Sequence, residues 1–160
     1  MKSRELKINL EVYGTAAEMP AQDSALVQRA KLATEGAYAP YSRFQVGAAA
    51  LLENGEVVTG SNQENGAYPS GLCAERTALF YAGAKFPNVA VKALAIAAQT
   101  GGQLCAGAVY PCGACRQVML ESEMRGGQPI RVIMAGENEV EVARSAHDLL
   151  PLSFELKGQG

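Results

Sequence analysis

Histidine is nearly missing from this chain and tryptophan is absent: the 160 residues hold one His, His147, and no Trp. His147 lies far along the chain, before Asp148-Leu149-Leu150-Pro151, where a surface or structural role is the ordinary expectation. That scarcity excludes a histidine-built metal site, so any metal must rely on sulfur. An excess of positive charge is missing too. With 14 basic and 16 acidic residues and a net charge of −2, the chain lacks the Lys and Arg clusters that neutralise nucleic-acid phosphates. No apolar run reaches membrane-spanning length, and Met1-Lys2-Ser3-Arg4-Glu5 does not read as a signal peptide. Cysteine is sparse: four in 160 residues do not make a secreted disulfide framework, and in a reducing compartment such residues more often serve metal binding or catalysis. The expectation is a cytoplasmic protein that binds neither nucleic acid nor membrane. Its length suits one core, and 48% apolar residues suffice to build it.

Hydrophobic patterning predicts the elements. Lys7 to Tyr13 alternates apolar and polar, as a half-buried strand does. Ser24 to Ala37 reads as a helix with Asp23 as N-cap, stopped by Pro40. Val46 to Leu52 is a continuous apolar run, expected to be a strand buried on both faces. Asn54-Gly55 predicts a type I′ hairpin turn to a return strand, Val57 to Ser61. A helix is expected over Cys73 to Ala84, a central strand over Val91 to Ala98, and a helix opened by Pro111 that ends near Gly126-Gly127. Strands follow at Ile130 to Ala135 and Glu139 to Val142. The pattern is a β-hairpin followed by alternating helices and strands. It predicts an α/β fold with a mixed five-stranded sheet, starting with the β-hairpin and covered by helices on both faces. Residues 1–22 would form an N-terminal extension with a possible extra edge strand, and residues 23–160 the catalytic domain.

The chemistry-bearing residues fall in Cys73-Ala74-Glu75-Arg76 and Pro111-Cys112-Gly113-Ala114-Cys115-Arg116. Cys112 and Cys115, three apart, can project from one helical face, and Cys73 comes from a different helix start. Three thiolates can hold one Zn²⁺ per chain and leave a coordination position open, as a catalytic zinc requires. Helix N-termini favour the thiolate form and offset its charge. Glu75, two residues from a ligand, is placed to move protons. On a random helix it would be a first-turn acid complementing the dipole; beside Cys73 and upstream of Pro-Cys-x-x-Cys, the catalytic reading is preferred. Together these patterns point to hydrolytic removal of an amino group. Sulfur-rich ligation weakens the metal as a Lewis acid. Arg76, and secondarily Arg116, could restore its acidity by hydrogen bonding to a ligand sulfur. Cys105 could close a four-cysteine structural site, which would leave Glu75 without a task.

These motifs, with Ala39-Pro40-Tyr41-Ser42-x-Phe44-x-Val46-Gly47-Ala48, Asn62-x-Glu64-Asn65 and Leu149-Leu150-Pro151-x-x-Phe154, resemble those of the small zinc-dependent cytidine deaminases, from about Ser24 to Phe154. The resemblance implies deamination of cytidine and 2′-deoxycytidine to uridine and 2′-deoxyuridine, with release of ammonia, in pyrimidine salvage. Zinc-bound hydroxide would attack C4, with Glu75 shuttling protons. It also implies that Asn62 and Glu64 hydrogen-bond the ribose, that Phe44 packs against the base, and that the backbone around Ala74 and Cys112 reads its polar edge. Members of this length are commonly homotetramers, so Phe154 would reach a neighbouring subunit's pocket. Two departures stand out: the first twenty residues, and the character of Tyr68-Pro69-Ser70-Gly71-Leu72. The rival readings are a deaminase of an antibiotic nucleoside, of a deoxycytidine nucleotide or of a polynucleotide, and a non-enzymatic structural-zinc module.

Overall fold

The computed structural model describes residues 1–156. A seven-stranded mixed sheet forms its centre, in the order β1-β7-β6-β4-β2-β3, with the short β5 paired to β4. The strands are β1 (Leu10–Tyr13), β2 (Phe44–Leu52), β3 (Val57–Ser61), β4 (Val91–Thr100), β5 (Gln103–Leu104), β6 (Arg131–Ala135) and β7 (Val140–Ala143). The helices are α1 (Ala21–Ala33), α2 (Ala74–Lys85) and α3 (Gly113–Gly126). Only β4 and β6 run parallel; every other pair is antiparallel.

The sheet has seven strands where five were expected, and β1 and α1 precede the hairpin. The extra strands have local causes. Gly101 and Gly102, both at positive φ, turn the end of β4 back to make β5. β1 pairs with β7 at the sheet edge, and only four residues of the alternating Lys7 to Tyr13 stretch pair there. Asp23 does not cap α1. Pro20 holds that place, and Asp23 sits buried in the first turn. There it accepts from Arg131 Nη2 at 2.7 Å, which ties α1 to β6.

The continuous apolar runs are buried on both faces. Ala48, Ala50 and Leu52 of β2, with Leu94 and Ile96 of β4, pack beneath α2 and α3. Ala49, Leu51, Ala93, Ala95 and Ala97 face Leu26, Val27 and Ala30 of α1. Period-two alternation thus distributes one run between two cores. The hairpin turn differs from expectation. Gly55 has φ of +87° but Asn54 is not in the left-handed region. Gly55 N donates to Leu52 O and Leu52 N to Glu56 O, giving a three-residue loop with glycine at the left-handed position rather than type I′.

Gly60 on β3 sets how closely α2 can approach. A Cβ there would lie 2.5 Å from Ala78 N and 2.7 Å from Ala74 O. The missing side chain seats the first turns of α2 directly on the sheet. Gly60→Ala should therefore lower stability by about 1–3 kcal/mol through overpacking, read as a lower urea midpoint at unchanged m-value.

Candidate active site

Cys73 and Cys112 are the N-cap residues of α2 and α3, both in extended backbone conformation. Pro111 therefore stands one residue before the cap rather than inside the first turn. The two helix starts converge, and the buried Cys115 completes a triad with all three sulfurs within 4.8 Å of one another. Cys73 Sγ lies 3.9 Å from Cys112 Sγ, and Cys112 Sγ lies 3.5 Å from Cys115 Sγ. A tetrahedral ion with Zn–S bonds of about 2.3 Å separates its sulfurs by about 3.8 Å. All four cysteines are free thiols. The donor set and its spacing therefore fit zinc, which these three residues are positioned to hold.

Cys105 stands apart from the triad. Its amide donates to Ala98 O and its carbonyl accepts from Glu137 N, which places it alongside the last residues of β4, directly after β5. Among the described residues it does not join the metal-ligating group, so the closed four-cysteine arrangement is not formed.

The electrostatics of the gathered sulfurs are those of shared protons. Cys73 is lowered to about 5, chiefly because the Cys115 thiol donates to it, with Arg76 and Cys112 adding to the effect against burial. Cys115 is pushed up for the converse reason, then by burial and the nearby Glu75 charge. Glu75 itself is only 4% exposed. Burial raises its pKa, and the negative charge of Cys73 raises it further. Arg76 Nη2 reaches Cys73 Sγ at 3.8 Å, and its Nε is buried with no hydrogen-bond partner among the described residues. Arg116 does otherwise than expected. Its Nε donates to Pro111 O at 2.9 Å and its Nη1 to Leu149 O at 3.1 Å. It clamps the backbone before Cys112 and, among the described residues, bonds no sulfur.

A cleft of about 520 Å³ opens beside Cys73, its wall including Ser42, Asn62, Glu64, Tyr68 and Arg76. Asn62 and Glu64 follow β3 and grip the segment that leads into β2. Asn62 Oδ1 accepts from Val46 N at 2.7 Å and its Nδ2 donates to Phe44 O at 2.9 Å. Glu64 accepts from Tyr41 N at 2.9 Å, from Ser42 N at 3.3 Å and from Ser42 Oγ. These bonds, that of Ser42 Oγ first, hold the Glu64 carboxyl below its ordinary value. Between them Gln63 pairs reciprocally with Leu72, N to O in both directions, immediately before Cys73. Phe44 begins β2 and is partly exposed; Ala74 opens α2 and is buried. The first amides of an α-helix have no carbonyl partner within it, and those of α2 point toward its start beside Cys73. Phe154 is exposed, its carbonyl accepting from Gln117 Nε2 at 2.9 Å. His147 is exposed, as its isolation suggested.

Sequence reading missed Ser42, the Arg116 clamp and the Gln63–Leu72 pair. Ser42 lies in the Pro-Tyr-Ser run, but the bond that defines it crosses 22 positions. Arg116 reads in the sequence as a second candidate to bond a ligand sulfur, and its carbonyl partners, one of them 33 positions away, leave no local mark. The Gln63–Leu72 pair is backbone to backbone and leaves no side-chain signature.

Residues 20–126 match the family described as the cytidine and deoxycytidylate deaminase zinc-binding region. A cytidine deaminase of Sporosarcina psychrophila is 48% identical over 131 residues, covering 81% of this chain and 88% of that protein. One from Halalkalibacterium halodurans is 52% identical over 96 residues, covering 60% of this chain and 68% of that protein. The solved structure of cytidine deaminase from Burkholderia pseudomallei superposes with a TM-score of 0.70 at 43% identity, covering 85% of this chain and 100% of that one. With the matched region spanning both cysteine motifs and the fold shared over most of each chain, this protein belongs to the cytidine and deoxycytidylate deaminase zinc-binding family.

Proposed function

We propose that the chain hydrolyses cytidine and 2′-deoxycytidine to uridine and 2′-deoxyuridine. The observation that carries this reading is a three-sulfur site at zinc spacing with a buried carboxylate, Glu75, in the first turn of α2, and with one of its sulfur residues, Cys73, on the wall of a cleft that Asn62 and Glu64 also line. The named activity of relatives at 42–52% identity supports it. In the reaction the oxygen of water replaces the amino nitrogen at C4, the C4–N bond breaks and ammonia leaves.

Cys73, Cys112 and Cys115 would hold the zinc, which when bound supplies a Lewis acid that makes water nucleophilic near neutral pH. Glu75 takes one proton from water as it attacks and passes it to ring N3, then takes the remaining proton of the new hydroxyl and delivers it to the departing amine. One carboxylate can serve all of these transfers because each uptake is followed by a delivery that returns it to the ionised state. Arg76 withdraws charge from Cys73 and so keeps the sulfur-rich centre acidic. The amides around Ala74 and Cys112 meet the polar edge of the base, and Phe44 packs against its face.

The hydrogen-bond inventory supports the sugar assignment. Asn62 Nδ2 has two N–H groups and uses one on Phe44 O. Glu64 has about four acceptor positions and uses three. What remains is one donor beside one acceptor, the complement of a single hydroxyl such as the ribose 3′-OH. Among the described residues, Arg76 is the one cationic side chain on the cleft wall, and it is turned to Cys73. This favours an uncharged nucleoside over a nucleotide, whose phosphate would want a free cation.

We further propose a homotetramer in which Phe154 enters a neighbour's site. Phe154 is 69% exposed, and an aromatic side chain held outward by a backbone anchor has apolar surface to bury against a partner. No helix among the described residues is long and apolar enough to cross a membrane, and four free cysteines suit a reducing cytoplasm.

Ultraviolet assay of zinc-quantified protein should show conversion of both nucleosides and not of deoxycytidine monophosphate. Glu75→Gln should keep its zinc and fold and lose at least ~10²-fold in kcat; near-normal turnover would reject its role. Cys112→Ala should lose tightly bound zinc, with a drop in thermal stability because binding and folding are coupled. Cys105→Ser should retain one zinc per chain and near-normal activity, and metal loss on that substitution would revive the structural-zinc reading.

A further inference from the structure

Arg43 is the only non-glycine described residue at positive φ, +59°. An arginine adopts that left-handed conformation only where its surroundings over-determine it. The restraint on one side is an i→i+4 turn, Arg43 N to Ala39 O at 3.0 Å. On the other side is Ser42. Its Oγ accepts from Phe44 N at 3.0 Å, across Arg43, and at the same time donates to Glu64 Oε1. One hydroxyl therefore links the residue assigned to the base with the carboxylate assigned to the sugar. The Tyr41 and Ser42 amides both converge on the other oxygen, Glu64 Oε2, so Ser42 Oγ is the only described partner of Oε1 and sets its direction.

We propose that Ser42 is a positioning residue that selects for the 3′-hydroxyl of the substrate by orienting Glu64. The inference rests on the nucleoside reading of Asn62 and Glu64 and adds a residue that does not itself touch substrate. Glu64 left to two backbone amides could rotate about its terminal bond, and its remaining acceptor position would no longer meet the Asn62 N–H that completes the hydroxyl site. Asn62 is unaffected by the change, since both of its bonds go to the β2 backbone. Ser42 is exposed, so its truncation to Ala removes the bonds of its hydroxyl to Glu64 Oε1 and from Phe44 N without opening a cavity.

The test is steady-state kinetics of zinc-loaded wild type, Ser42→Ala and Ser42→Thr with cytidine and 3′-deoxycytidine. A hydrogen bond to a charged group is worth enough for about a tenfold effect. In Ser42→Ala the KM for cytidine should rise about tenfold and that for 3′-deoxycytidine no more than about threefold. The kcat for cytidine should stay within about threefold, and Ser42→Thr, which restores the hydroxyl, should recover cytidine KM. Equal shifts with both substrates would overturn the proposal, because Ser42 would then act on base packing or on loop order alone. So would an unchanged cytidine KM. Wild-type protein that turns over both substrates with equal kcat/KM would reject the sugar subsite, while wild type that converts neither would reject the proposed activity and this assignment with it.

Discussion

Three sulfurs that can each carry negative charge are held together with a buried carboxylate beside them, and the rest of the structure follows from making that arrangement tolerable. Like charges at such spacing repel strongly in a poorly solvated place. The fold answers by bringing them to the starts of two helices, where the unpaired amides of the first turn present partial positive charge. Cys73 and Cys112 occupy the cap positions themselves. Arg76 adds a full positive charge against Cys73. A dication at the centre would complete the compensation, so the metal and the fold stabilise one another.

Convergence of two helix starts places demands on the sheet. α2 must lie close on β3, and Gly60 permits it. α3 must follow β4 and lead to β6, the one parallel pair in the sheet, so its start is delivered to the same end of the sheet as that of α2. Glu123 of α3 then holds the strand that follows and the C-terminal turn, accepting from Ile130 N and Ala146 N at 2.8 Å each and from Ser145 Oγ at 2.6 Å. With Arg116 bonded to Leu149 O, the C-terminal segment is fastened to the helix that carries two of the three sulfurs.

Much of this was legible in the sequence because its determinants are local. The CxE and PCxxC spacings encode ligand geometry over three or four residues, and the structure assembles Cys73, Cys112 and Cys115 as the spacing implied. Alternation and apolar runs located all of the longer strands. What escaped was non-local or backbone-borne. Asp23 resembles a cap until Arg131, 108 positions later, supplies a better partner. The N-G pair at Asn54-Gly55 signals a hairpin without fixing its turn type, since a left-handed Gly55 alone serves a three-residue loop. The alternation of Lys7 to Tyr13 pointed to β1 as a possible extra edge strand but not to the four residues that pair, and β5, two residues long, is too short for periodicity to mark.

The reciprocal Gln63–Leu72 pair has a consequence for how this site can change. One partner lies between Asn62 and Glu64, the other directly before Cys73, so main-chain hydrogen bonds rule off the span from the Asn62–Glu64 end of the cleft to its sulfur end. The intervening turn at Tyr68–Ser70 hangs from that span as a removable panel. Substitutions there can alter the texture and polarity of the wall while the distance between the two ends stays the same. The cleft is thus a caliper with a fixed jaw width, whose lining is free to vary.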